Sequence, residues 1–411
     1  MDVSIQEISS GNAFVAGSRR FVNITPPSMI DLRKEFDWRH MLIDVGKNTA
    51  ITCVRPTNLR SVSTQEPATP TDLQAIRLAI ESGRVAWDTR MFTVMLGSDP
   101  EYWLSDPNTG QLIPAFKTLP DKKAVTGPYQ SFYDGFQAEF ATDPHTCLQE
   151  LSMNIIRAWR HIPATTKISL ESVRDIGDCG KVPKKYLALG CMPSQNIYGH
   201  RGNIGVDGEF LPFRFAGCHM HFGLDPKLVT PDTVRRMVMA LDRIAGVGLC
   251  ALFGHLEDPR RRQFYGLAGE YRLPTHGLEW RVPSPQVLCH PGIFHLGFGL
   301  ARAAVTTALT GLDQLWDCET EEAIAVINTS DYQAARKIML RPHNQALLTG
   351  LAIRYYSKHL VKPTLDIFTN GLDRWVPNPT DVYGNWDLVA EHSVTASQYT
   401  WAGLASSRTK A

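Results

Sequence analysis

Four short stretches place side chains suited to metal or phosphate chemistry inside sequence that otherwise reads as β-strand. In Gly97-Ser98-Asp99-Pro100-Glu101 two carboxylates stand two residues apart. Extended backbone would project both onto one face, where like charges repel unless a cation neutralises them. Ser, Asp and Pro also favour turns, and taken alone the stretch reads first as the turn that ends a strand over Phe92–Leu96. In the second stretch, Phe136, Ala138 and Phe140 alternate with Gln137 and Glu139, which sets Glu139 on a polar face or leaves it a solvated edge residue. Asp134-Gly135, just before it, has the composition of a tight turn. The third stretch, Gly217 to Gly223, holds His219 and His221 on one face between glycines, which allow close backbone approach. One strand histidine is more often a core residue than a ligand, and the flanked pair shifts that balance. The fourth, Gly269 to Pro283, repeats a Glu-x-Arg spacing as Glu270 with Arg272 and Glu279 with Arg281. Surface ion pairs of that form are common and worth ~0–1 kcal/mol.

The elements that must position these groups follow from periodicity. Strands are expected over 92–96, 218–222 and 278–282, and helices over 146–160 and from Pro231 to about 253, the latter capped by Thr230 with Pro at its first position. The segment from Arg55 to Thr71 is rich in Ser, Thr and Pro and reads as a loop, after which Thr71-Asp72 caps a short amphipathic helix through Ile80. Beyond His295 the pattern is mainly helical to about 370, and the tail from Ala405 is expected to fray. The chain therefore divides into an accessory region (1–90), a sheet-bearing catalytic region (91–300) and a helical C-terminal part (301–411) packed on it. The fold class is α+β, an antiparallel sheet carrying the chemistry with helices outside it.

Bulk properties narrow the function classes. Lys+Arg 42 against Asp+Glu 41 leaves a net charge of +1, without the basic excess of a dedicated nucleic-acid binder. The N-terminus lacks a signal-peptide pattern, and Asp242, Arg243 and Arg302 interrupt the most apolar stretches, so no membrane association is expected. The 8 cysteines are scattered with no C-x-x-C pair, which suits reduced thiols of a cytoplasmic protein. No Walker A or dinucleotide-binding glycine motif is present.

The order acidic pair, acidic strand, His-x-His, Glu-x-Arg is more specific than any one stretch. It resembles the ligand order of the glutamine synthetase and glutamate–cysteine ligase superfamily. Leu96 to Glu101, Asp134 to Glu139, Leu189-Gly190-Cys191, Gly217 to Gly223 and Gly277 to Pro283 are similar to the phage-associated carboxylate–amine ligase type 2 family, over roughly residues 91 to 300. The resemblance implies a glutamine synthetase-like curved antiparallel funnel holding two or three Mg²⁺ or Mn²⁺ ions, with ATP bound by metals and arginines. It implies Asp99, Glu101, Asp134, Glu139, His219 and Glu279 as metal ligands. His219, His221 and Arg281 would then lie near the nucleotide phosphates, and Arg281, Arg272 and Glu279 would take part in the transfer. One departure is Asp-Pro-Glu in the first motif where glutamine synthetases place two glutamates, so the shorter Asp99 would reach its metal through water.

Amide formation in water is uphill, and a carboxylate is a poor electrophile. Phosphoryl transfer from ATP makes an acyl phosphate that an amine can attack; cations held by carboxylates, with planar arginine donors, stabilise the dispersed charge of that transfer. The implied partners are a carboxylate and an amine, a peptide or protein among the classes allowed, during phage infection of a host cytoplasm. Ring-forming and monomeric relatives leave the oligomeric state open. Two rivals remain at this level: a guanidino kinase-like phosphotransferase on the same fold, and a non-catalytic virion or assembly scaffold.

Overall fold

The computed structural model describes strands within 15–61, then residues 94–125, 130–163, 165–177, 182–187, 194–200, 211–310, 312–345, 347–348, 361–386 and 388. The helix expected from Thr71, the Leu189-Gly190-Cys191 run and the tail from Ala405 lie outside these residues. In the N-terminal region β1 (Val15–Ala16), β2 (Leu42–Asp44), β3 (Ala50–Arg55) and β4 (Asn58–Ser61) form one four-stranded sheet in sequential order. Strand β4 lies within the stretch expected to be loop: the Ser- and Thr-rich composition that suggested a turn is satisfied by antiparallel pairing to β3.

Nine strands build the main sheet. They are β5 (Met95–Ser105), β6 (Leu112–Ile113), β7 (Phe132–Asp134), β8 (Gln137–Glu139), β9 (Lys167–Ser169), β11 (Gln195–Asn196), β13 (Cys218–Gly223), β14 (Glu270–Arg272) and β15 (Gly277–Trp280), while β10 (Val173–Asp175) and β12 (Phe213–Phe215) pair separately. The central order is β11-β14-β15-β13-β5-β8-β7. Every pairing within this sheet is antiparallel, in line with the expected α+β class.

Alternation assigns the two faces of this sheet. Leu96, Tyr102 and Leu104 of β5, Cys218, Met220 and Phe222 of β13, and Leu278 and Trp280 of β15 are fully buried in one apolar core. The intervening positions carry the polar side chains to the opposite face. Helices cover the apolar face: α1 (Leu148–Arg160), α2 (Pro231–Ala240, continued by a π-helical turn to Gly246 and an α-helical end at Phe253) and α3 (Pro291–Thr310). Trp159 of α1 meets Tyr102 edge-on at 5.9 Å. Thr230 caps α2 as the sequence predicts, its hydroxyl accepting from the Thr233 amide. The helices α4 (Thr320–Thr329), α5 (Tyr332–Met339) and α6 (Val361–Asn370) follow, so the helical reading of the C-terminal part holds for the described residues.

Two helical runs, Pro231–Leu256 and Pro291–Leu309, are long and apolar enough to cross a membrane, but their apolar windows are 89% and 94% buried inside this protein. Such all-round apolarity is what a helix in the middle of a large core requires. The charges interrupting them are held internally: Trp280 Nε1 donates to Asp242 at 3.0 Å, Arg243 donates to the Trp316 and Cys318 carbonyls, and Arg302 donates to the Thr146 carbonyl.

Candidate active site

Strand β5 is the element from which the site is built. Asp99-Pro100-Glu101 is not the turn that the local composition favours: the strand runs unbroken through it to Ser105. Residues 95–100 pair with β13, Pro100 standing opposite Cys218 at the end of that ladder. A proline is tolerated where a ladder ends, because the missing N–H has no acceptor to satisfy. Glu101 then donates its amide to the Gly217 carbonyl at 2.8 Å, and the strand passes to new partners, β8 at 101–102 and β9 from 103. The tight-turn reading of Asp134-Gly135 is correct: Gly135, at φ +59°, joins β7 to β8 in a hairpin.

Registration sorts the expected ligands into two groups. His219 stands opposite Asp99, and Glu279 stands opposite both His221 and Arg272. Asp99, His219 and Glu279 thereby bring one ligand atom each within 4.8 Å of one another. Glu101 stands opposite Glu139, and with Asp134 these carboxylates form a second group of the same tightness. Asp99 and Glu101 thus share a face, as their spacing predicts, but serve different groups.

The first group is held by hydrogen bonds and ion pairs. Asp99 Oδ1 accepts from His221 Nε2 at 2.9 Å and lies 3.0 Å from His219 Nδ1. Glu279 Oε1 lies 3.2 Å from Arg281 Nε and 3.6 Å from both His219 Nδ1 and Arg272 Nη1. These are not surface pairs, since the Glu279 and Arg281 side chains are 6% and 1% exposed. Arg272, at 27%, is the more open of the two arginines. In the second group Glu101 Oε2 accepts from the Gly217 amide at 2.7 Å and from Gln137 Nε2 at 3.3 Å, while Lys122 Nζ reaches Glu139 at 3.3 Å.

Burial dominates the electrostatics. It raises the Glu101 carboxyl, with His219 opposing and Asp134 adding to the effect, and it raises Asp134. It raises Glu139 well above the ordinary value, the charges of Asp99 and Glu101 acting with it and Lys122 against it. Burial would also raise Asp99, but the charge of His219, 3.0 Å away, and the hydrogen bond and charge of His221 hold it well below the carboxylate range. Desolvation would lower His221, but its hydrogen bond to Asp99 and the charges of Asp99 and Glu279 together raise it. His276, which meets His221 at 3.0 Å, is lowered by burial and by that neighbour.

Both groups fit a divalent cation. Within the protein, the buried atoms His219 Nδ1 and Glu279 Oε1 have no hydrogen-bond partner among the described residues, and both belong to the first group. In the second, three carboxylates crowd together, with exposed Lys122 paired to Glu139 and the charges of His219 and Arg281 acting on Glu101. An oxygen-rich donor set with one imidazole suits hard ions of the Mg²⁺ or Mn²⁺ kind.

Four contributors escape the sequence reading. Tyr265 hydrogen-bonds His219 Nε2 and accepts from Arg281 Nη2 at 3.0 Å, its ring 5.0 Å from the Arg281 guanidinium carbon. It comes from a loop with no periodicity, and the indirect signal is Gly217, where a Cβ would sit 2.9 Å from the tyrosine ring. Gln137, Lys122 and His276 likewise carry no motif. Glu270, although spaced like Glu279, accepts the Gly266 amide at 2.9 Å and shapes that turn instead of joining either group.

Residues 204–374 match the family model described as Phage phiEco32-like COOH.NH2 ligase-type 2. The matched segment contains His219, His221, Arg272, Glu279 and Arg281 and extends through the helices behind the sheet, further toward the C-terminus than the expected 91–300. Asp99, Glu101, Asp134 and Glu139 precede the matched residues and reach the site only through strand pairing. No curated protein matches the chain. Among solved structures, a bifunctional glutathione synthetase from Pasteurella multocida is similar at 13% identity and a TM-score of 0.38, covering 82% of this chain and 54% of its own. The chain thus spans about half the length of that enzyme. A glutamate–cysteine ligase from Francisella tularensis, solved in complex with AMP, is similar at 11% identity and a TM-score of 0.31, covering 78% of this chain and 99% of its own.

Proposed function

We propose that the chain is an ATP- and Mg²⁺-dependent ligase that joins a carboxylate to an amine through an acyl phosphate. The observation that carries this is the meeting of two cation-competent groups with two arginines on one sheet face, half of it inside a carboxylate–amine ligase segment. In the first step a substrate carboxylate oxygen bonds to the γ-phosphorus of ATP, and the bond to the β-phosphate oxygen breaks to release ADP. In the second, an amine bonds to the acyl carbon and phosphate leaves, the surplus amine proton passing to solvent or to a basic group.

Asp99, His219 and Glu279 on one side, and Glu101, Asp134 and Glu139 on the other, would hold the divalent cations. Bound cations supply charge neutralisation on the polyphosphate. Arg272, partly exposed and paired with Glu279, would meet phosphoryl oxygens, and Arg281 fixes Glu279 from within the protein. A sheet curved into a funnel would keep water from the acyl phosphate. The acceptor on this reading is a peptide-like or small amino compound, and phage infection is the setting that the family description suggests.

ADP release that requires a carboxylate, an amine and Mg²⁺ together is the expected activity. Glu279→Gln and Arg281→Ala each lower it at least a hundredfold, on the order of 2.7 kcal/mol or more of transition-state stabilisation. Turnover unchanged in both folded variants refutes the site, and release of a phosphorylated product with no amide refutes the reaction.

A further inference from the structure

A cavity of ≈ 410 Å³ lies beyond the carboxylate groups, where the end of β5 meets β9, the end of α2 and the Pro379-Thr380 turn. None of the six cation-competent residues lines it. Trp103 stands between the two on β5, fully buried, its indole N–H donating to the Glu171 carbonyl at 2.7 Å. Ser105, two residues on and sharing the face of Asp99, Glu101 and Trp103, lines the cavity.

The walls define what can enter. Ile168, Leu170, Phe253 and Cys289 are each under 8% exposed and supply an apolar interior. Leu256, at 41% one of two exposed large hydrophobics among the described residues, continues that surface to solvent. The charged lining residues Lys167 and Glu171 are exposed, and Arg174 is paired with Glu171. Gln286 has both ends of its amide engaged, with Ser284 and the Leu256 carbonyl. Ser105 differs: it is 4% exposed, and its Oγ has no hydrogen-bond partner among the described residues. A buried hydroxyl in that state is unfavourable and is ordinarily satisfied by water or a ligand.

We propose that this cavity is a binding site, separate from the carboxylate groups, for an uncharged and mainly apolar small molecule bearing one hydrogen-bonding group. The volume falls in the range of small-molecule pockets. The apolar interior favours hydrocarbon, and Ser105 Oγ is the buried lining hydroxyl, without a partner among the described residues, that can pair with a neutral amide, ester or hydroxyl. A charged group at that depth would find no counter-ion. This inference stands whether or not the chain makes amides.

The test is calorimetric titration of the full chain with N-butylacetamide and N-hexylacetamide. One saturable site is expected, tighter by about fourfold for each added methylene as buried hydrocarbon requires. Ser105→Ala should weaken N-hexylacetamide about fivefold, in keeping with loss of one neutral hydrogen bond. Cys289→Phe, which fills the space, should abolish binding while the unfolding midpoint shows the chain folded. If that variant fails to fold, the chain-length series and Ser105→Ala still decide. No saturable binding of N-hexylacetamide, equal affinity of the two amides, or affinity indifferent to Ser105→Ala overturns the proposal.

Discussion

Replacing Tyr265 by Phe removes one oxygen atom and tests how the first cation group is organised. That hydroxyl bonds to His219 Nε2 and accepts from Arg281 Nη2, in a residue only 5% exposed. A hydroxyl can donate to an imidazole nitrogen or accept from its N–H. With the Nε2 proton pointed at Tyr265, the Nδ1 lone pair faces Asp99 and Glu279, which is the tautomer a cation needs. Phe at this position retains the ring, its stacking on Phe215 and its contact with the two neighbouring guanidinium groups. What is lost is the nearer of the two groups that meet His219 Nε2, the other being Arg281 Nη2 at 3.4 Å. Leaving a buried polar group without its partner costs about 1–3 kcal/mol; that range agrees with the 10–100-fold loss of metal affinity typical when a ligand's hydrogen-bond partner is removed. Calorimetric titration of Mn²⁺ into the full chain measures it, with the unfolding midpoint as the control for fold. Tyr265→Phe with Mn²⁺ affinity within twofold of the parent refutes the assignment of His219 as an oriented ligand.

Two further outcomes concern pH. Because Glu101, Asp134 and Glu139 are raised above their ordinary values, their contribution to stability is full below the unfolded pKa and is lost as pH rises through the folded values. The metal-free protein should therefore lose stability as pH climbs above the ordinary carboxylate range, and Mn²⁺ binding should release protons and tighten over the same interval. Asp99 acts with the opposite sign, its contribution lost only as pH falls below that range. Unfolding midpoints against pH, with and without Mn²⁺, check this; a metal-free midpoint that rises steadily from pH 5 to 8 contradicts it. Asp242, buried on α2 against Trp280, is pushed up to about 7 by desolvation. Asn retains an acceptor for the indole N–H, so Asp242→Asn should stabilise the protein by roughly 2–4 kcal/mol at pH 8, at about 1.36 kcal/mol per unit, and by little at pH 4. Equal denaturant midpoints at pH 8 sink that account.

What the sequence settles by itself is local. Alternation within Cys218–Phe222 and around Glu139 puts particular side chains on the polar face, because a strand's two-residue period is a property of its own backbone. The helix start at Thr230-Pro231 is likewise legible, since capping involves neighbouring residues only. The order of the acidic, histidine and Glu-x-Arg stretches is also in the sequence, and the family match supports its second half. Local composition gives the wrong answer at Asp99-Pro100-Glu101, where turn-forming residues lie inside an eleven-residue strand. That strand persists because its ladder hydrogen bonds come from β13, more than a hundred residues away, and local preference yields to them.

Tertiary structure alone decides how the ligands are shared out. Cross-strand register pairs Asp99 with His219 and Glu101 with Glu139, dividing two carboxylates that are adjacent on one strand between separate groups. It also delivers Tyr265 to His219 from a loop and closes the Ser105 cavity from segments as distant as Thr380. These arrangements depend on which strands pair and in what register, and register is fixed by burying Met220, Trp280 and their neighbours against the helices. The residue types prescribe the chemistry available to this chain; the packing of its apolar face determines which of those residues meet.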